Sequence, residues 1–100
     1  MARKLPEFQK NLNPSAASLE QLGKLVRNRR AQSGMRIDDA ASLSGVSTDV
    51  LSRLENGKPV TADKLMRVLE SLGLRILVVP KTDIPAVEEV LGRNAAGEGR

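Results

Sequence analysis

Apolar residues recur at helical spacing through residues 19–72 and then bunch into an unbroken run. The pattern predicts four helices followed by one strand. Leu19, Leu22 and Val26, with Leu25 flanking, align on one face of a first helix reaching about Ser33, where Gly34 stops it. Ser18-Leu19-Glu20-Gln21 reads as its capping box, the hydroxyl of Ser18 accepting from the helix and Gln21 reaching back. A second apolar stripe, Ile37, Ala40 and Ala41, predicts a short helix of small residues that a neighbour can approach closely. Ser44-Gly45-Val46 breaks that pattern as a tight turn, and Ser47 stands where an N-cap belongs. Val50, Leu51 and Leu54 stripe a third helix, which Asn56-Gly57 ends. After Pro59, Thr61 caps a fourth helix on which Ala62, Leu65, Met66, Leu69 and Leu72 share a face expected to be core.

Residues 74–79, LRILVV, change the period to that of a strand, and Pro80 ends it. Alternation assigns Leu74, Ile76 and Val78 to the chain's own body and Arg75, Leu77 and Val79 to the other side. A lone strand needs a partner for its backbone groups, either a second copy or the N-terminal arm. Residues 1–17 lack periodicity and contain Pro6 and Pro14, so they read as a flexible basic arm anchored by Leu5, Phe8 and Leu12. Residues 81–100 read as a mostly disordered, mildly acidic tail with a marginal helix at 82–92. The expected architecture is an all-α bundle of four helices over 18–80 with one C-terminal β-strand.

Composition narrows the chemistry. With one aromatic residue, Phe8, the core must be aliphatic, and a body this small is marginal alone. No Cys and no His occur, which removes thiol and imidazole catalysis and ordinary zinc sites, and no cofactor is expected. Carboxylates are scattered over separate helices, so no acid–base pair stands out and an enzyme is not expected. No run approaches the ~18 apolar residues of a membrane span, and the first residues lack a signal-peptide core. A cytoplasmic protein is expected. The net charge of +4 is uneven: residues 1–36 hold eight Lys/Arg against two acidic residues, and residues 37–100 hold eight against ten. Lys24, Arg27, Arg29 and Arg30 crowd one predicted helix, the kind of footprint a phosphate-rich partner leaves.

The outer face of the third helix offers Thr48, Asp49, Ser52 and Arg53. Short hydrogen-bonding side chains with an Arg one turn on suit a DNA major groove, Arg for guanine and Asp for a cytosine amino group. Lys58 and the N–H groups around Asn56 are candidate phosphate contacts from the following loop.

The pattern A-A-x-L-S-G-V-S-x-x-x-L-S-R-L-E-N-G over residues 40–57 resembles the helix-turn-helix of the XRE (lambda-repressor-like) family, and the match extends over 19–74. The resemblance implies a repressor that binds double-stranded operator DNA as a homodimer. It further implies that Arg30 pairs with Glu55 while lying near the DNA backbone. Where the family carries Thr-Gln, this chain has Arg36-Ile37, so Arg36 stands in for the missing backbone contact. Arg27, Arg30, Arg36, Ser47, Asn56 and Lys58 form the expected phosphate set. The LGLRILVV stretch at 72–79 resembles HipB-type antitoxins, which implies dimerisation through Leu74, Ile76, Leu77, Val78 and Val79 and a HipA-like toxin kinase as partner. A regulator without a toxin and a pure protein-interaction module are the alternatives.

Overall fold

A computed structural model describes residues 7–10 and 12–98. Five helices follow one another: α1 (Leu19–Gln32), α2 (Ile37–Ser44), α3 (Thr48–Glu55), α4 (Ala62–Ser71) and α5 (Ile84–Glu98), with a 3₁₀ turn at Lys81–Asp83. Residues 1–6 and 11 of the basic arm, its anchor Leu5 among them, lie outside the described residues.

Local chemistry sets most boundaries. Ser18 Oγ accepts the Gln21 N–H at 3.1 Å, while Gln21 Oε1 reaches one residue further back than a capping box requires, to Ala17 N–H. Ser47 Oγ likewise accepts from Val50 N–H at 3.1 Å, satisfying one orphan donor of α3. The α2–α3 turn depends on Gly45 at φ 71°, a left-handed conformation that a side chain disfavours. Thr61 holds the N-cap position of α4 but makes no side-chain cap there. Its hydroxyl instead hydrogen-bonds to the Asp63 carboxylate, holding that pKa below its ordinary value against some desolvation. Backbone N–H groups of Lys64 and Asp63 and the charge of Arg67 add to this. The contribution is present at neutral pH and is lost as pH falls through the depressed value.

Val26, Ala40, Ala41, Leu51, Leu54, Val68, Leu69 and Leu72 form one buried cluster, where α1 packs on α3 and α2 packs on α3 and α4. Two expected stripes are shifted. Leu19 is exposed while Gly23 and Arg30 are buried, because α1 turns a small residue and a charged one toward α3. On α4, Val68 is fully buried and Met66 is 51% exposed, so the helix is rotated from the expected face.

The C-terminal third differs most. No strand is present among the described residues. Residues 74–80 run without regular structure, and residues 75–79 make no backbone hydrogen bond to another described residue. The expected alternation also fails: Leu74 packs on the core, but Val78 is 90% exposed and Leu77 71% exposed. Pleating needs a neighbouring strand to hold side chains on alternate faces, and among the described residues there is none. Beyond it, α5 takes in most of the short helix expected at 82–92, runs on to Glu98 into residues expected to be disordered, and packs chiefly on the 3₁₀ turn before it.

Gly23 sets the spacing of α1 against α3. A Cβ added there would overlap the Leu54 carbonyl oxygen and stand 2.8 Å from that of Glu55, both backbone atoms that cannot swing away. Gly23→Ala improves helix propensity yet must push two helices apart. It is expected to lower stability by about 1–3 kcal/mol, read as a fall in the thermal midpoint by circular dichroism. An unchanged or raised midpoint would show that the crossing is not tight.

Candidate nucleic-acid interface

Helix α3 presents two faces of opposite character. Leu51, Leu54 and Glu55 are buried, whereas Ser47, Thr48, Asp49, Arg53 and Asn56 are exposed and Ser52 is half-buried. The apolar face docks the helix on α1 and α2. The outward row of hydroxyl, carboxylate and guanidinium groups is left in solvent.

The helix is held from behind by an ion pair. Arg30 Nε donates to Glu55 Oε2 at 2.7 Å and Arg30 Nη2 to Glu55 Oε1 at 2.8 Å, the two parallel bonds of a bidentate pair. Arg30 Nη1 donates to the Met35 carbonyl at 3.0 Å, drawing the α1–α2 loop into the same knot. Both side chains are enclosed, 7% and 4% exposed. At that depth the Arg30 guanidinium spends its donors on Glu55 and the Met35 carbonyl.

The other expected phosphate residues are open. Arg27 and Lys58 are exposed. Arg36 is exposed and leans toward Asp38, Nε to Oδ1 3.7 Å, a contact between two well-solvated groups that is worth little. Ser47 uses an oxygen lone pair for its cap, so its hydroxyl proton remains able to donate outward. Asn56 turns its amide back on its own helix, Nδ2 to the Ser52 carbonyl at 2.8 Å, so it closes α3 first.

The loop after α3 wraps over the helix end. Gly57 N–H bonds to the Leu54 carbonyl and Lys58 N–H to the Arg53 carbonyl at 2.9 Å. Arg53 Nη2 donates to the Pro59 carbonyl at 3.0 Å, a contact no sequence pattern announces. Gly23 was also missed; an isolated Gly inside a helical stripe costs ~1 kcal/mol against Ala, and that cost was its one sequence signal. The arm is fastened as well: Asn28 Nδ2 donates to the Gln9 carbonyl, and Gln9 N–H returns to Asn28 Oδ1.

Two short helices at a Gly turn, the second with a solvated polar face and an anchored back, match a known unit over residues 21–75. The chain belongs to the helix-turn-helix domain family. This helix-turn-helix chain is also 32% identical over 82 residues to the ImmF control region 10 kDa protein of Bacillus phage phi105. The alignment covers 81% of the present chain and 91% of that protein. Within the helix-turn-helix, α2 is the supporting helix and α3 the outward one. Among the described residues no group of His, Cys, Asp and Glu is placed to hold a metal ion, and no helix is long and apolar enough to cross a membrane.

The buried pair yields a sharp expectation. Glu55→Ala strands the Arg30 charge in the interior and should cost about 3–5 kcal/mol in urea denaturation. Lys24→Ala, which removes an exposed Lys24–Glu20 contact of 3.6 Å, should cost about 0–1 kcal/mol. Equal effects would mean that the Arg30–Glu55 pair is solvated.

Proposed function

We propose that the protein is a sequence-specific regulator that binds double-stranded DNA and represses transcription by occupying a promoter. The observation that carries this is the solvated face of α3, with Thr48 and Asp49 in its first turn, fixed on a rigid back. In a helix-turn-helix the outward helix enters the major groove and its N-terminal residues meet base edges. Thr48, Asp49 and Ser52 take that role here, with Asp49 suited to a cytosine amino group. Ser47, Arg27, Arg36 and Lys58 serve as phosphate contacts that set register. Occupancy alone blocks polymerase, so the function calls for no catalytic group, and the protein acts where the DNA is, in the cytoplasm.

The regulator works as a homodimer on a two-fold symmetric operator. The backbone of residues 75–79, unbonded to any other described residue, supports this, since antiparallel pairing with a second copy satisfies it symmetrically. Such pairing would set two reading helices about 34 Å, one DNA turn, apart or a multiple of it. A partnership with a HipA-like toxin kinase rests only on the resemblance of this segment. The phage relative is named for a control region, and that name supports a regulatory role, in keeping with XRE-type repressors.

Titration with random duplex DNA at increasing salt tests the reading. Log K is expected to fall linearly with log salt, by about 0.9 per phosphate neutralised, and absence of binding at low salt would sink the proposal. A site selected from randomised duplexes should then lose about 1–3 kcal/mol with Thr48→Ala or Asp49→Ala while random-duplex affinity holds.

The dimer has its own test. Ile76→Pro removes a ladder donor from each copy. The variant should keep its helix signal, sediment as a monomer at micromolar concentration, and lose affinity for a full operator far more than for a half-site. A variant that stays dimeric would place the two-fold axis elsewhere.

A further inference from the structure

The sequence pattern places Arg53 among the base readers, on the same face as Asp49 and one turn on. The structure turns its guanidinium the other way. An acidic residue four positions before an Arg on a helix normally attracts it, yet Asp49 and Arg53 form no ion pair. Arg53 instead reaches past the end of α3 and donates from Nη2 to the Pro59 carbonyl at 3.0 Å. The same loop is folded onto the helix by the Lys58 N–H bonding to the Arg53 carbonyl at 2.9 Å, so Arg53 and Lys58 are joined through one short hydrogen-bonded turn. Both side chains are exposed.

We infer that Arg53 is a backbone-phosphate contact, forming with Lys58 a two-cation clamp at the α3–α4 loop, and that it does not read a base edge. The inference rests on the DNA-binding reading above and specifies how that surface divides its labour. A guanine reader must hold two parallel donors outward toward O6 and N7. One terminal nitrogen of Arg53 is committed to a carbonyl outside the helix, at the end remote from the residues that enter the groove deepest. A phosphate accepts from whichever remaining N–H groups face it, so this anchoring costs a phosphate contact little. The division also explains the free carboxylate of Asp49. With Arg53 drawn away, Asp49 has no cation partner among the described residues and stands as an acceptor at the start of the reading helix.

The test compares wild type, Arg53→Ala and Arg53→Lys on a duplex selected from a randomised pool and on random-sequence duplex, each over a range of salt. Both substituted positions, Arg53 and Lys58, lie in solvent, and circular dichroism checks that the fold is retained. For the clamp, Arg53→Ala should weaken both duplexes by the same factor and make the log K against log salt slope shallower by about 0.9. Arg53→Lys should restore the slope and keep the selected-to-random ratio, because an ammonium serves a phosphate but lacks the guanidinium fork. Lys58→Ala should reproduce the Arg53→Ala pattern. Loss of affinity confined to the selected duplex, or collapse of the ratio in Arg53→Lys, overturns the clamp and makes Arg53 a base reader while leaving the DNA-binding function standing. A wild type that fails to bind random duplex at low salt removes the clamp and the function together.

Discussion

The buried pair between Arg30 and Glu55 is the constraint on which the remaining geometry rests. Glu55 is the last residue of α3, and Arg30 lies on the final turn of α1. Two hydrogen bonds of 2.7 and 2.8 Å therefore fix how the outward helix is rotated against the first. A third bond, to the Met35 carbonyl, adds the loop that leads into α2. Such a pair gives little net stability over an apolar substitute, since both charges have been taken from water. What it supplies is direction: a planar fork meeting a carboxylate accepts few orientations, whereas Leu51 and Leu54 alone would tolerate sliding.

Gly23 works with that pair. The ion pair pulls α3 onto α1, and the missing side chain at Gly23 lets the backbones close until the Leu54 and Glu55 carbonyls sit against the helix. One interaction sets rotation and the other sets distance. The surface carrying Thr48, Asp49 and Ser52 is thereby held rigidly, although those side chains touch little of the interior.

The helical body was legible because its signals are local. Ser18 and Ser47 stand three residues before the N–H groups they accept from, and Gly45 marks the turn that needs its conformation. The α4 face was misread because Met66 and Val68 are both apolar, and spacing alone does not say which of two adjacent faces meets α2. Run 74–79 has strand composition, but a ladder is a relation between two segments, and composition does not supply the second. Within the site, the resemblance pointed to Glu55 as the partner of Arg30 but not to how deeply both are buried, since depth depends on how α1 and α3 close on each other. Likewise, nothing in the spacing of Arg53 tells that a proline carbonyl six residues on will hold it.

The exposed apolar stretch of Ile76, Leu77 and Val78 is also a hazard, because an extended chain that drifts against it can pair with its backbone. Here the stretch is bounded. Arg75 places a charge near one end, and at the other Pro80 supplies no donor and Lys81 follows with a second charge. Any ribbon grown on this stretch is confined to about five residues, too short and too charged at its margins to template an open-ended stack. Charges and a missing donor at the margins of an exposed apolar stretch are the means by which a chain discourages fibre growth.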